Sequence, residues 1–276
     1  TVLHLSQQNQ ETMRTTNLLS LLFLFIVGFS NAQMDSKFYQ PSKEMKPLEF
    51  SNPEFISLPV ENDTITAVFL KPKMKNPKKT IFFFHGANGN VSTYQYITKP
   101  LVEDGFQVVM VDFRGYGKST GKPTHLNVAS DGQQFFDFLM NKSEIKNTKV
   151  YIYGASLGSQ VATHLARTNK DKISGLIIDG GMSSFADVAA VYAPQYKDFI
   201  NQMLKDVYSA KEDVKFTEGL PKLFIYSKND STIPFSHGDE VYKNASEPKI
   251  FLENTAEHIQ GLKDEPTEIL KAISNL

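Results

Sequence analysis

A predicted strand that runs through a Gly-x-Ser-x-Gly turn into a helix limits the folds open to this chain. Residues 149–153 have the character of a buried strand, Gly154-Ala155-Ser156-Leu157-Gly158 follows, and a helical apolar period begins at Leu157. Such a turn strains the backbone of its serine, and tiny residues two positions before and after let strand and helix pass close together. The pattern therefore predicts an α/β protein in which the Ser156 hydroxyl projects above a sheet.

The rest of the sequence repeats this alternation of strand and helix. Strands are predicted at 65–70, 80–84, 107–112, 149–153, 173–178, 222–226 and 249–252. Helices are predicted at 91–103, 127–140, 157–168, 236–243 and the end of the chain. Strands separated by helices of this length predict parallel βαβ units in a doubly wound, mostly parallel sheet with helices on both faces. Ligands of such sheets bind beyond the carboxyl ends of the strands.

A serine hydroxyl needs a histidine base and an orienting carboxylate to act as a nucleophile, in the chain order serine, acid, histidine. Three histidines follow Ser156, namely His164, His237 and His258. His164 is predicted too far along the same helix, and His237 is expected to be a capping or surface residue. His258 follows the last predicted strand, which makes it the preferred base.

Two aspartates could supply the acid. Asp230 lies in the turn after strand 222–226, and Asp179 follows strand 173–178. The chain order permits either one. Asp230 is favoured because its loop and that of His258 follow strands that are consecutive in sequence, and such strands usually lie near each other.

Acyl transfer also requires hydrogen-bond donors for the oxyanion. The backbone N–H of Leu157 is one candidate, at the start of the helix after Ser156. The second is the N–H of Ala87, in the glycine-containing loop 85–90 that follows strand 80–84. His85, in the same loop, is expected to fix the loop by hydrogen bonding and not to react.

Composition excludes several other classes of function. The 276 residues carry 29 Lys plus Arg against 30 Asp plus Glu, so the net charge of -1 gives no basic excess for binding a nucleic acid backbone. There is no Cys, which excludes disulfides, thiolate metal sites and a thiol nucleophile. No metal-binding spacing such as His-Glu-x-x-His occurs. No metal or cofactor is therefore expected.

The N-terminal region has the pattern of an export signal. Met13 and Arg14 precede an apolar run at 18–29, and Ser30-Asn31-Ala32 resembles a cleavage site. The run is shorter than the roughly 20 residues that span a bilayer. We expect upstream translated sequence at 1–12, a signal peptide at 13–32, and a periplasmic or secreted mature chain without an integral membrane span; an uncleaved N-terminal anchor is the alternative. Residues 33–53 are expected to form an arm or linker, and 54–276 the folded domain.

Taken together, five motifs resemble those of the α/β-hydrolase superfamily. They are His85-Gly86, the segment 112–119, the Ser156 pentapeptide, Asp230-Ser231-Thr232-Ile233-Pro234, and His258. Within the superfamily the chain resembles small serine hydrolases: serine aminopeptidase-like esterases, monoacylglycerol lipases and depalmitoylating thioesterases. The resemblance implies the α/β-hydrolase fold, a triad of Ser156, Asp230 and His258, and oxyanion donors at Ala87 and Leu157. It also implies that segment 112–119 is structural.

The resemblance further implies a short helical cap between the strand ending near Asp179 and the strand at 222–226, at about 180–221. This stretch carries aromatic and Met residues at helical spacing, a pattern more often found in a core than in a pocket. Cap residues that could line a site for an acyl chain are Met182, Phe185, Tyr192 and Tyr196.

The predicted function is hydrolysis of small-molecule carboxylic esters or thioesters through an acyl-enzyme. Two alternatives remain open at this point. A serine peptidase of the aminopeptidase-like branch would need an acidic group to hold the substrate amine, for which Asp179 and Asp187 are candidates. A binding protein could keep the fold without turnover.

Overall fold

The computed structural model describes residues 35–204 and 207–276. The predicted upstream segment 1–12 and signal peptide 13–32 lie outside these residues. The chain divides into two compact units, Thr1–Phe38 and Tyr39–Leu276, and the second contains every element named below. Among the helices of the described ranges, none combines the length and the apolar character needed to span a bilayer.

The described residues of the second unit form an eight-stranded sheet. Its strands are β1 (Glu54–Val60), β2 (Asp63–Leu70), β3 (Lys79–Phe84), β4 (Gln107–Val111), β5 (Lys149–Ala155), β6 (Gly175–Asp179), β7 (Lys222–Ser227) and β8 (Lys249–Asn254). Their order across the sheet is β8-β7-β6-β5-β3-β4-β2-β1. The neighbours from β8 to β4 pair in parallel, whereas β2 is antiparallel to both β1 and β4. The predicted doubly wound, mostly parallel sheet is confirmed.

Two layers of helices cover the sheet. The α-helices are α1 (Gln95–Glu103), α2 (His125–Leu139), α3 (Ser143–Lys146), α4 (Gly158–Asn169), α5 (Phe185–Tyr192), α6 (Lys197–Met203), α7 (Ala210–Asp213), α8 (Phe235–Asn244), α9 (Gly261–Asp264) and α10 (Pro266–Ser274). Short 3-10 turns occur at Val91–Tyr94, Pro194–Tyr196 and Val214–Phe216. Helices α1, α9 and α10 pack together on one face, and α2, α4, α7 and α8 on the other. Strands β4 and β6 are buried along their whole length because both faces are covered.

Local chemistry sets the ends of these elements. The predicted helix at 127–140 begins at His125, because Thr124 and Asn127 form a reciprocal cap: each side chain accepts a hydrogen bond from the other's backbone N–H. Strand β1 is not among the predicted strands. It lies at the sheet edge with only one neighbour, and only Ile56 and Val60 in it are buried, so its apolar signal is weak.

The segment 180–221 joins β6 to β7 and contains α5, α6 and α7. It is therefore short and helical, as predicted. The carboxyl ends of β3, β5, β6, β7 and β8 all point to the same edge of the sheet. The loops that leave this edge carry Ala87, Ser156, Gly180, Asp230 and His258.

Candidate active site

Ser156 lies in the turn between β5 and α4. Its φ of +53° is in the left-handed region, a conformation that costs a non-glycine residue about 1–3 kcal/mol and persists only where the surroundings impose it. The Ser156 N–H donates a 2.9 Å hydrogen bond to the carbonyl of Asp179 at the end of β6. The strained turn predicted from the pentapeptide is present.

The two glycines of this turn permit close approaches between backbones. A Cβ on Gly158 would lie 2.1 Å from the carbonyl oxygen of Phe84, at the end of β3. A Cβ on Gly154 would lie 2.6 Å from the Cβ of Ala162 in α4. Helix α4 therefore starts directly against the sheet, which holds Ser156 beside the loop after β3.

The structure brings the three predicted triad residues into one chain of hydrogen bonds. His258 Nε2 is 2.9 Å from Ser156 Oγ, and His258 Nδ1 is 2.6 Å from Asp230 Oδ2. A carboxylate only accepts hydrogen bonds, so in the neutral imidazole Nδ1 carries the proton and Nε2 is free to accept from the serine hydroxyl. The Asp230 side chain is 1% exposed and that of His258 is 16% exposed, so the predicted acid is buried and the predicted base is partly accessible to solvent.

Hydrogen bonds join the loop of Asp230 to the loop of His258. The second carboxylate oxygen of Asp230 accepts the backbone N–H groups of Thr232 and Ile233, each at 2.8 Å. Asn229 Nδ2 donates to the carbonyl of Thr255 over 2.8 Å, and the Lys228 N–H to that of Asn254 over 3.1 Å. The positions of Asp230 and His258 are thus fixed by paired strands and by loop contacts.

Asp179, the alternative acid, has a different environment. It is 3% exposed, and its Oδ2 accepts the hydroxyl of Tyr153 at 2.7 Å. Burial raises the pKa of Asp179 to about 6, against the lowering effects of the Tyr153 hydrogen bond and of His258. Asp230, and not Asp179, forms the hydrogen bond to His258. Asp179 still contributes to the site through its backbone, because its carbonyl holds the Ser156 N–H.

Gly180 follows Asp179 and lies against the imidazole. A Cβ at this position would be 3.2 Å from both Cε1 and Nδ1 of His258 and 2.6 Å from Cγ2 of Ile259. The end of β6 therefore touches both Ser156 and His258.

The predicted oxyanion loop lies next to the serine. A Cβ on Gly86 would be 3.2 Å from the Cβ of Ser156. Among the hydrogen bonds of the described residues, none is donated by the N–H of Ala87 or of Leu157. Neither N–H has an acceptor within the described residues, which is compatible with the predicted role of both as oxyanion donors.

His85 fixes this loop, as predicted. Its Nδ1 is 2.7 Å from the Gly86 carbonyl, and its Nε2 accepts the Phe113 N–H at 3.4 Å. Burial lowers the pKa of His85 to about 4, so the ring is neutral near pH 7. Because Nε2 accepts a hydrogen bond, Nδ1 must carry the proton, and its N–H donates a hydrogen bond to the Gly86 carbonyl.

The four cap candidates divide into two pairs. Met182 and Phe185 are buried, and Phe185 stacks on His125 at a ring distance of 4.2 Å. Tyr192 and Tyr196 are exposed, and the Tyr192 hydroxyl donates to the Thr232 carbonyl at 2.7 Å. Tyr192 therefore links the cap to the loop of the predicted acid, whereas Met182 and Phe185 belong to the packing beneath the cap.

The two other histidines that follow Ser156 have structural surroundings. His164 pairs with the buried Asp213 at 2.7 Å. The expectation that His237 is a capping or surface residue was wrong: it is 5% exposed, and its Nδ1 is 2.9 Å from the hydroxyl of Ser183. It lies near the start of α8, but α8 packs this face against the base of the cap, a tertiary contact with no local sequence signal.

The chain is similar in sequence to several known proteins. A family model described as serine aminopeptidase, S33, matches residues 75–211. The uncharacterized protein YfhR of Escherichia coli (strain K12) is 26% identical over 261 residues, 91% of this chain and 90% of that protein. Protein bem46 of Schizosaccharomyces pombe is 29% identical over 205 residues, 72% of this chain and 69% of bem46.

A solved structure shares the architecture. The esterase Pf2001 of Pyrococcus furiosus superposes with a TM-score of 0.69 at 16% identity, covering 87% of this chain and 96% of Pf2001. This chain has the α/β-hydrolase fold. In this α/β hydrolase, segment 112–119 is structural, as the resemblance implied: the carboxylate of Asp112 accepts the Val91 N–H at 2.8 Å, and Arg114 pairs with Asp131 at 2.7 Å.

Proposed function

We propose that this α/β hydrolase cleaves carboxylic ester or thioester bonds of small molecules, with Ser156 as the nucleophile. The observation that carries the proposal is the continuous hydrogen-bond chain from Ser156 through His258 to Asp230. Beside it lie the N–H groups of Ala87 and Leu157, which donate no hydrogen bond within the part of the chain that the structure describes. This combination of nucleophile, oriented base and oxyanion donors suits acyl transfer.

The proposed reaction has two stages. His258 Nε2 takes the Ser156 proton while Oγ attacks the acyl carbonyl, and the N–H groups of Ala87 and Leu157 stabilise the oxyanion. The C–O or C–S bond then breaks, and the leaving alcohol or thiol receives the proton from His258. In the second stage His258 removes a proton from water, the hydroxide attacks the acyl-enzyme, and the acid leaves as Ser156 regains its proton.

The state of two carboxylates favours an uncharged acyl substrate over the amino terminus of a peptide. Asp179 is buried and bonded to Tyr153. Asp187 pairs with Lys211 at 2.6 Å and accepts the hydroxyls of Ser183 and Ser184 at 2.7 and 2.6 Å. Each candidate for holding a substrate amine thus already has a polar partner, and recruiting it would break existing bonds.

The test is reaction of the full chain with a fluorophosphonate probe, followed by assays on p-nitrophenyl esters and thioesters of increasing acyl length. We expect labelling and turnover in the wild type and in Ser51→Ala, which changes an exposed serine, and neither in Ser156→Ala. The chain-length profile would define the acyl site. An amino-acyl p-nitroanilide in the same panel distinguishes the peptidase.

Folded wild type that neither labels nor turns over any ester would contradict the proposal and favour a binding protein. Preference for the amino-acyl anilide over all esters would favour the peptidase instead.

A further inference from the structure

An arm of the chain is paired with the loop that carries the predicted oxyanion donor Ala87. Gln40–Pro41 forms a short parallel ladder with Asn88–Gly89. The Gln40 N–H donates to the Ala87 carbonyl at 3.0 Å, and the Ser42 N–H to the Gly89 carbonyl at 2.8 Å. These bonds lie in the region expected from sequence to be an arm or linker.

Tyr116 also takes part in the contact between the arm and the loop of Ala87. Its hydroxyl donates to the same Ala87 carbonyl at 2.6 Å and itself accepts the Gln40 N–H at 2.9 Å. The Tyr116 ring is fully buried and lies 4.8 Å from the ring of His85. The carbonyl of Ala87 therefore has two donors, one from the arm and one from the core.

A second set of bonds fastens the arm two residues further on. The buried side chain of Asn90 donates through Nδ2 to the carbonyls of Ser42 and Glu44, at 3.1 and 2.8 Å. The Gly117 N–H also donates to the Ser42 carbonyl, at 2.9 Å. The arm from 40 to 44 thus joins the loop 87–90 to the turn at 116–117.

These contacts hold the peptide unit that follows the Ala87 Cα, and His85 holds the peptide unit that precedes it. In a trans peptide the carbonyl of one residue and the N–H of the next point in opposite directions. The bond from His85 to the Gly86 carbonyl therefore sets the direction of the Ala87 N–H. The bonds from Gln40 and Tyr116 hold the peptide unit that follows, so both peptide units flanking the Ala87 Cα are held.

We propose that residues 40–44, together with Tyr116, are a positioning element of the oxyanion hole that keeps the Ala87 N–H directed at the developing oxyanion. The inference rests on the proposed function. An oxyanion donor acts only when its position is set before the reaction, and a displacement of about 1 Å can cost about 100-fold in rate.

The test compares Gln40→Pro with Gln40→Ala in the full chain. The proline lacks the N–H that bonds Ala87 and Tyr116, whereas the alanine keeps it and removes only an exposed side chain. Tyr116→Phe removes the second donor and keeps the ring, which provides an independent variant should Gln40→Pro fail to fold.

Three readouts separate positioning from general stability. Hydrogen exchange followed by mass spectrometry reports the opening of segment 85–90. Steady-state kinetics on a p-nitrophenyl ester separate kcat from KM. The ratio of rates on an ester and on its thionoester reports the oxyanion contact, because sulfur is a weak hydrogen-bond acceptor.

We expect Gln40→Pro and Tyr116→Phe to exchange faster in segment 85–90 and to lose about 10- to 100-fold in kcat at similar KM, with a smaller ester-to-thionoester ratio. Gln40→Ala should match the wild type. Unchanged exchange, or faster exchange with kcat within about twofold of Gln40→Ala, would overturn the positioning role. A wild type inactive on every ester and unlabelled by fluorophosphonate would instead refute the proposed function and, with it, the oxyanion role.

Discussion

At the scale of single residues, Asp230 and Asp179 show how surroundings assign different tasks to two buried carboxyls. Asp230 accepts two backbone N–H groups on one oxygen and the imidazole on the other. Asp179 accepts a neutral phenol hydroxyl, and its burial favours the protonated form. The first arrangement orients the imidazole of His258. The second supports a group that holds the end of a strand.

This difference predicts unequal losses of kcat for two amide substitutions. Asp230→Asn should lower kcat by about 10³- to 10⁴-fold, because an amide cannot hold the imidazole in the required tautomer. Asp179→Asn should stay within about tenfold of the wild type, because the amide oxygen can still accept the Tyr153 hydroxyl. Steady-state kinetics at pH 8 test both. A larger loss in Asp179→Asn than in Asp230→Asn would reassign the acid.

The same residue predicts a pH dependence of stability. The pKa of Asp179 is raised from 3.8 to about 6 on folding, so the folded state binds more protons between these values. The contribution of Asp179 to the free energy of unfolding is complete below pH 3.8 and is lost as pH rises through about 6. The melting temperature of Asp179→Asn, measured relative to the wild type, should therefore rise from pH 4 to pH 7. A difference independent of pH would contradict this assignment.

At the scale of elements, the turn between β5 and α4 depends on a close approach that only glycine allows. A methyl group on Gly158 would meet the Phe84 carbonyl oxygen at 2.1 Å, and backbone cannot rotate away as a side chain can. Gly158→Ala should therefore destabilise the fold by about 3 kcal/mol. Gly219→Ala is the control: its φ is +77° but nothing lies within 4 Å of the added Cβ, so a cost of about 1 kcal/mol is expected.

Urea denaturation followed by circular dichroism measures both glycine variants. A loss in Gly158→Ala no larger than that in Gly219→Ala would mean that the turn relaxes around the added methyl group, and that the approach of α4 to β3 does not require glycine.

Sequence patterns predicted the elements whose signal is local. The apolar runs of the central strands, the glycines around Ser156 and the loop of His258 are each read within a few residues. The arm at 40–44 was not recognised as part of the site because its contacts are made by backbone groups, which any residue carries. The roles of Tyr116, Tyr153 and His237 depend on partners far away in sequence, so composition and periodicity gave no sign of them.

At the scale of the whole molecule, the signal-peptide pattern leads to a prediction of where a mature chain would begin. Cleavage after Ala32 would give a protein that starts at Gln33 and keeps Tyr39, which is 4% exposed and is the first residue of the second compact unit. N-terminal sequencing of the exported protein should read Gln33-Met34-Asp35. A chain retained with Met13 at its start would indicate an uncleaved anchor instead.

The contacts of the arm also bear on the order in which parts of the molecule unfold. Gln40 and Tyr116 are 76 residues apart, and Ser42 and Asn90 are 48 apart. The arm is held mainly by a few hydrogen bonds, one of them to the hydroxyl of the buried Tyr116. The sheet, in contrast, is held by a continuous apolar core. Segments of this kind open sub-globally, at lower free energy than global unfolding. On heating, catalytic turnover should therefore fade before the sheet melts, and on refolding it should return after the circular dichroism signal.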